Sequence, residues 1–281
     1  DENMINIGRF NILKVNRFVD FGAYLDAGDD KEILLPLKYF DATLKVGDEI
    51  EVFVYNDSED RLIATTERPF AMVGEFAYLQ VVQTNSVGAF LDWGITAKDL
   101  LVPFREQKVD MKQGGIYLVY VYLDDTTKRI VASAKIDKFI GNVLPHYKKG
   151  DKVKALVYNH TPLGYKCIVD NLFHGMIYQN ETYKPIELEE VIEAYVKNVR
   201  EDGKIDLTIS DRARARTGEL SDQILAALKA LPSGCMMVSD KSSPETIKEI
   251  FQCSKKDFKK AIGKLYKAHL IEIGDDRITL L

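Results

Sequence analysis

The chain has 281 residues, too many for one ordinary small core, and 46% of them are hydrophobic, as in soluble globular proteins. The 38 basic and 43 acidic residues leave a net charge of −5, and this balance, with 10% aromatic residues, excludes a disordered chain. Cys167, Cys235 and Cys253 lie far apart without CxxC spacing, which excludes a disulfide framework and favours free thiols.

The sequence predicts neither a membrane span nor an N-terminal signal peptide. No run of about 18 apolar residues is present, so we expect no transmembrane helix. Residues 1–4 (DENM) offer no basic segment or long apolar stretch, so we expect no signal peptide. We expect either that the initiator has been removed or that Met4 is close to the true start. These features and the free thiols predict a cytoplasmic protein.

Two segments in the first half of the chain repeat each other at a spacing of about 66 residues. FGAYLD at 21–26 corresponds to VGAFLD at 87–92, and each is followed by a leucine-containing strand that ends at a proline. A Gly-led strand, an acidic turn and a short last strand complete each repeat. Because apolar and polar residues alternate with period two between closely spaced turns, each repeat predicts a five-stranded Greek-key barrel.

A third, weaker repeat begins at Lys148 and lacks the Gly-Ala-aromatic segment. It closes with a hairpin at 201–210 that carries an Asp-Gly turn signal. Its other strands are predicted at 153–158, 165–169, 175–178 and 191–199. The three barrel domains are predicted at 1–68, 69–140 and 141–212.

Beyond Ser210 the hydrophobic period changes from that of strands to that of helices. A basic linker is predicted at 211–218, followed by a helix that Ser221 caps and Pro232 ends. The arginines of the linker are Arg212, Arg214 and Arg216. The inward residues of the helix are predicted to be Ile224, Leu225, Leu228 and Leu231.

Two further helices and a hairpin are predicted at the C-terminal end. Ser243, followed by a proline, caps the second helix. Ser254 and Asp257 form a capping box for the third helix, and a hairpin at 270–281 follows. Three helices with a two-stranded wing predict a winged helix-turn-helix domain at 213–281. The predicted fold class is mainly β with an α-helical C-terminal domain.

The FGAY segment at 21–24, inside this strand order, resembles the S1 RNA-binding domain, which is an OB fold. The DGKIDLT segment at 202–208 resembles the closing hairpin of the same domain. Three S1-type units followed by a winged helix resemble the CvfB (conserved virulence factor B) family over nearly the whole chain. The resemblance implies three tandem S1-like OB barrels and binding of RNA.

This resemblance also implies site residues in each barrel. In S1 domains two aromatic residues flank Gly-Ala and stack on bases, and here they correspond to Phe21 and Tyr24. In the second barrel Phe90 keeps the second aromatic position, and Val87 replaces the first. Proline stands in both barrels where the family has a histidine on strand three. The acidic and basic hairpin residues correspond to Asp57 with Arg61, Asp125 with Arg129, and Arg200 with Lys204.

The face on which each aromatic ring lies decides between base stacking and core packing. Alternation places Ala23 and Tyr24 on opposite faces, so Tyr24 is expected to point outward. Phe21 and Phe90 fit either position, and a core position is favoured for Trp93. For the hairpin cations the alternative to an RNA contact is an ordinary solvated turn residue.

Basic residues beside aromatic ones mark the third barrel as a predicted RNA-contacting surface. Its predicted contacts are Lys154, Tyr158, Tyr165, Lys166 and Lys204. In the third helix of the winged helix domain, lysines recur at steps of three and four opposite a core face of Phe258, Ile262 and Leu265. This predicted basic stripe consists of Lys256, Lys260, Lys264 and Lys267.

Charge is concentrated toward the C-terminal end of the chain. Residues 211–281 hold 13 basic and 10 acidic residues, a net charge of +3, whereas residues 1–210 carry −8. A surface that contacts a nucleic-acid backbone needs such a positive end. The alternative is a solvated, lysine-rich helix face.

No catalytic or metal-binding pattern is found in the sequence. The acidic residues at 57–60 and 124–125 lie in tight hairpins without the spacing of a calcium loop, so turn roles are expected. The four histidines have no metal-ligand spacing. The chain also has no P-loop, HExxH or GxSxG motif, so we expect no enzyme activity, no metal and no cofactor.

These observations favour a non-catalytic RNA-binding regulator whose partner is single-stranded RNA, with mRNA as one candidate. A DNA-binding transcription regulator is the first alternative, although the third helix offers lysines and few of the residues that read base edges. A protein-interaction scaffold with weakened S1 domains is the second, which the acidic first 210 residues permit. No membrane partner is expected.

Overall fold

The computed structural model describes residues 5–179 and 186–281, except for the side chains of residues 210–219. The predictions made for residues 1–4 therefore lie outside the described residues. Two compact units are present, Asp1–Asn142 and Val143–Leu281. The first contains two five-stranded barrels, and the second contains a third barrel and a helical domain.

The first barrel is closed, with strand order β1-β2-β3-β5-β4 and a parallel pairing between β3 and β5. Its strands are β1 (Phe10–Val19), β2 (Gly22–Asp26), β3 (Glu32–Pro36), β4 (Glu49–Asn56) and β5 (Leu62–Thr65). Alternate residues point into the barrel, so Ala23, Leu25 and Leu35 are fully buried in its core.

The second barrel is nearly closed, because its edge strands β8 and β10 lie close together. Its strands are β6 (Phe76–Thr84), β7 (Gly88–Asp92), β8 (Leu100–Pro103), β9 (Ile116–Leu123) and β10 (Ile130–Ser133). Its core continues into the first barrel, where the rings of Phe53 and Trp93 meet edge to face at 5.5 Å. The core position favoured for Trp93 is therefore confirmed.

The third barrel is closed with the same topology as the first. Its strands are β11 (Lys152–Thr161), β12 (Gly164–Val169), β13 (Phe173–Tyr178), β14 (Val191–Val199) and β15 (Ile205–Thr208). The predicted fold class of three OB-like barrels before a winged helix is confirmed. The residue boundaries predicted for the four domains stay a prediction.

The C-terminal domain packs three helices against a small sheet of order β16-β18-β17. Its elements are α1 (Ser210–Ala230), β16 (Cys235–Met236), α2 (Pro244–Phe251), α3 (Lys255–Lys267), β17 (Ile271–Ile273) and β18 (Ile278–Leu280). Both predicted caps are confirmed: the Ser243 side chain accepts from the backbone N–H of Thr246, and that of Ser254 from Asp257.

The predicted start of the first helix is wrong. The segment predicted as a linker lies inside α1, because its alternating alanines and arginines are good helix formers. The arginine side chains of that segment are among those not described. Ser221 is consequently a buried residue within the helix and not its cap, and Leu231, predicted inward, is exposed because α1 ends at Ala230. No helix among the described residues is both long and apolar enough to cross a membrane.

Candidate nucleic-acid interface

Strand register shows which positions of the three barrels are equivalent. The first two strands of each barrel pair through an irregularity at the same place, followed by a glycine at Gly22, Gly88 or Gly164. A Cβ at any of these glycines would collide with a backbone carbonyl oxygen of the next strand, so the fold requires glycine there. The next two positions are an inner one (Ala23, Ala89, Tyr165) and an outer one (Tyr24, Phe90, Lys166).

The outer position of the first barrel carries an aromatic pair. Phe21 is 57% exposed, Tyr24 is half-buried on the outer face as predicted, and their rings meet edge to face at 6.3 Å. The guanidinium of Arg17 lies 4.3 Å from the centre of the Tyr24 ring. These rings line a groove of about 1060 Å³ together with Leu34 and Arg61. The groove therefore offers flat apolar surfaces that bases can contact.

Carboxylates balance Arg61, which lines this groove, and the nearby Arg17. Arg61 Nε lies 3.0 Å from Asp57 Oδ2, and its Nη2 lies 3.0 Å from Glu59 Oε2. Arg17 Nη2 lies 3.0 Å from Glu32 Oε1, and its hydrogen bond lowers the pKa of that carboxyl group. The predicted RNA contact of Arg61 thus competes with an existing ion pair. Asp57 also accepts backbone N–H groups of its own turn, which fits its expected turn role.

The second barrel uses its hairpin arginine to contact the first barrel. Arg129 forms a two-pronged ion pair with Asp60, Nε to Oδ1 at 2.8 Å and Nη2 to Oδ2 at 2.6 Å. This hydrogen bond lowers the pKa of Asp60. The placement gives no support to the predicted RNA contact of Arg129. The acid equivalent to Asp57 is Asp124, not the predicted Asp125, because its backbone N–H bonds Arg129 O as that of Asp57 bonds Arg61 O.

Phe90 is the remaining aromatic candidate of the second barrel. It is half-buried at the outer position, beside an exposed Val87 where the first barrel has Phe21. The second barrel therefore presents one ring where the first presents two.

The position of Tyr165 gives no support to its predicted RNA contact. Tyr165 occupies the inner position of the third barrel, equivalent to Ala23, and is only 2% exposed. Its hydroxyl accepts the backbone N–H of Ile186 at 3.2 Å. His160 lies directly opposite Tyr165 on β11, is exposed, and stacks on the Tyr165 ring at 4.2 Å. His160 is not among the predicted contacts; its pairing with Tyr165 across the β11–β12 hairpin is the signal that could have identified it.

Lys166 and Lys204 are brought to one face of the third barrel. Lys166 takes the outer position equivalent to Tyr24, and Lys204 takes the hairpin position equivalent to Arg61. Strand pairing links the two lysines. Lys166 on β12 pairs with Met176 on β13, and Met176 pairs with Asp206 on β15, two residues after Lys204. Both lysines are exposed, and neither forms an ion pair with a described residue.

The other two candidates of the third barrel lie elsewhere. Lys154 is exposed on β11 and pairs in register with Glu193 on β14, on a different side of the barrel from Lys166. Tyr158 is half-buried at the irregularity of β11. The structure therefore separates Lys154 from the face that Lys166 and Lys204 share.

The α3 lysines form the largest set of exposed cations on one element of the described chain. Phe258, Ile262 and Leu265 are buried, as predicted, and the stripe faces outward. All four predicted lysines are exposed, and none pairs with a carboxylate of a described residue. A shallow groove of about 530 Å³ is lined by Lys259, Lys260, Gly263, Lys264 and Lys267. Lys259, which the predicted stripe missed, thus belongs to this surface through its spacing to Gly263 and Lys267.

The described part of the chain contains no cluster of side chains that could bind a metal ion, and its cysteines are free thiols. There, no group of three or more His, Cys, Asp or Glu side chains could hold a metal ion. Cys167, Cys235 and Cys253 are free, and burial raises the pKa of the Cys167 thiol to about 12.

Comparison with known proteins identifies two of the four domains. Residues 7–67 match the S1 domain, and residues 222–280 match the CvfB-like winged helix domain. Conserved virulence factor B of Staphylococcus epidermidis is 27% identical over 243 residues, which cover 84% of this chain and 81% of that protein. The uncharacterized protein YitL of Bacillus subtilis is 30% identical over 269 residues, which cover 91% and 87%.

A solved structure matches the chain over its full extent. It is a multidomain protein with nucleic acid binding domains from Streptococcus pneumoniae, at 23% identity, 98% coverage of both chains and a TM-score of 0.41. The family follows from the sequence matches, because one relative reaches 30% identity over most of both chains and the last domain matches a CvfB-like one. This chain belongs to the CvfB (conserved virulence factor B) family.

Proposed function

We propose that this chain is a non-catalytic, cytoplasmic RNA-binding protein that holds single-stranded RNA, such as mRNA, and regulates it after transcription. The observation that carries the proposal is the outer face of α3, whose lysines have no carboxylate partner among the described residues. Unpaired ammonium groups on one face attract phosphates and release counterions when they bind them. Three free thiols agree with a reducing compartment.

The composition of α3 favours contacts to the backbone of a nucleic acid over reading of its sequence. Sequence is read in duplex DNA by bidentate side chains, mostly Arg, Asn and Gln, and α3 (Lys255–Lys267) contains none of them. Lysine acts as a compact point charge on a flexible stem and lacks the planar fork of arginine. This supports sequence-tolerant binding over the alternative of a DNA-binding transcription regulator.

The aromatic pair of the first barrel supports a single strand as the ligand. Bases are free to stack on protein rings only where they are not stacked in a duplex. Phe21 and Tyr24 line an open groove, and one stacked base contributes about 1–3 kcal/mol. Several weak sites on one chain raise the overall affinity through effective concentration.

Binding of RNA and DNA at several salt concentrations tests this proposal. We would titrate an unstructured single-stranded RNA and a duplex DNA of the same length with the full chain. In the Lys260→Ala, Lys264→Ala, Lys267→Ala triple variant we expect RNA affinity at low salt to fall on the order of 100-fold. The slope of log affinity against log salt should fall by about 2, because each lost phosphate contact removes about 0.7.

A triple variant of the same domain is the matched control. Lys229→Ala, Lys241→Ala, Lys248→Ala removes the same charge from positions outside α3. Equal losses in both variants, or duplex DNA bound as tightly as RNA, would contradict the proposal. Absence of binding to either nucleic acid would favour the protein scaffold.

A further inference from the structure

Gly263 lies at the centre of the exposed face of α3. Residues three and four apart are neighbours on a helix surface, so Gly263 lies between Lys259 and Lys267 along one row and beside Lys260 along another. Lys264 follows directly and lines the same groove. The face therefore has a gap without a side chain that is bordered by four ammonium groups.

Nothing within the described part of the chain requires glycine at this position. A Cβ at Gly22, Gly88 or Gly164 would strike a backbone carbonyl, but a Cβ at Gly263 would meet no described atom within 4 Å apart from its chain neighbours and the backbone of its own helix. Gly263 has helical backbone angles and not the left-handed ones that favour glycine. Glycine in an exposed helix interior weakens the helix relative to alanine. The contacts of the described residues therefore give no reason for a glycine at this position.

We propose that Gly263 is the contact site at which the phosphodiester backbone of a bound RNA strand meets α3. This inference rests on the proposed function. Without a Cβ, a phosphate approaches the helix axis closer by about 1.5 Å, the length of one carbon–carbon bond. At that depth the lysines on both sides of the gap reach the same phosphate or two successive ones. The gap thus sets the register of the strand on the helix.

The groove lining favours a phosphate backbone over a protein partner. Apart from Gly263, its lining residues are all lysines, and it contains no apolar side chain. Protein interfaces are centred on apolar or aromatic anchors and are depleted in lysine. None of the four lysines pairs with a described carboxylate, so their charge is available to a polyanion.

Substitutions at Gly263 separate this inference from a general electrostatic effect, since they leave every charge in place. In the full chain, Gly263→Leu should weaken binding of single-stranded RNA at least 10-fold. Gly263→Ala should weaken it about 3-fold, while raising the melting midpoint followed at 222 nm by about 4 °C, because alanine stabilises the helix. The matched control is Ala226→Leu, which adds the same side chain at an exposed position of α1.

The two proposals fail in different ways in this experiment. If Gly263→Leu leaves RNA affinity unchanged, or if Ala226→Leu weakens it equally, the contact site at Gly263 is contradicted but the proposed function is not. If the wild-type chain binds no RNA, both the proposed function and the contact site at Gly263 are contradicted. Loss of duplex DNA binding alone in Gly263→Leu would assign this face to DNA and so overturn the inference.

Discussion

The first and third barrels place different chemistry at the same strand positions. The first has a small inner residue and an aromatic outer one, Ala23 and Tyr24. In the third barrel these positions hold Tyr165 and Lys166, so the ring is inside and a cation is outside. The hairpin cation also differs, because Arg61 is held by carboxylates whereas Lys204 has no described ion-pair partner.

This difference shows that a residue type in a repeat does not by itself carry the role of that repeat. The side of the strand on which a residue lies decides whether a ring packs in the core or faces a ligand. The first barrel thus combines exposed rings with balanced charge, and the third combines exposed lysines with a buried ring. We therefore expect stacking from the first and phosphate contacts from the third.

The largest expected effect is on the stability of the third barrel. Tyr165→Ala should lower the free energy of unfolding by about 3–5 kcal/mol, because it empties a large buried volume. Urea denaturation of the full chain measures this change in the free energy of unfolding. Tyr165→Phe, which removes only the hydroxyl that accepts from Ile186 N–H, should cost about 1 kcal/mol. Unchanged stability with weakened RNA binding in Tyr165→Ala would instead make Tyr165 a ligand-facing ring.

Removal of the outer ring of the first barrel is the next largest effect. Tyr24→Ala should weaken single-stranded RNA binding about 10-fold, since one stacked base is lost. The salt slope should stay the same, because no cation is removed. Phe70→Ala removes an exposed ring of the same unit outside the groove and should leave affinity unchanged. Equal losses in the two variants would contradict the stacking role.

The outer lysines of the third barrel should contribute to RNA affinity mainly through salt-dependent contacts with phosphates. The double variant Lys166→Ala, Lys204→Ala is expected to weaken RNA binding about 5-fold at low salt and to reduce the salt slope by about 1.4. Lys152→Ala with Lys154→Ala removes two lysines from another side of the barrel and should change the slope less. If this control has the larger effect, the strand follows the β11–β14 side instead.

The smallest expected effect belongs to Arg129. Arg129→Ala should change RNA affinity less than about 2-fold, because its guanidinium is already held by Asp60. It should lower the melting midpoint slightly, and Asp60→Asn should lower it by a similar amount. The double variant should then be no less stable than either single one. A loss of RNA affinity in Arg129→Ala but not in Asp60→Asn would restore Arg129 as an RNA contact.

The sequence alone determined the features of this protein that depend on neighbours along the chain. The period-two strands, the repeat around Gly22 and Gly88, and the helix caps at Ser243 and Ser254 were all predicted correctly. Local alternation, turn residues and caps act over a few residues, so they can be read without coordinates. The outward stripe of α3 lysines followed in the same way from helical spacing.

Only the tertiary structure decided which charges are paired and which rings are covered. Arg129 meets Asp60 across 69 residues, and His160 covers Tyr165 through the pairing of two strands. The spacing of residues along the chain does not predict such contacts, because the fold creates them by bringing distant strands and hairpins together. The open space beside Gly263 likewise depends on which elements pack near α3.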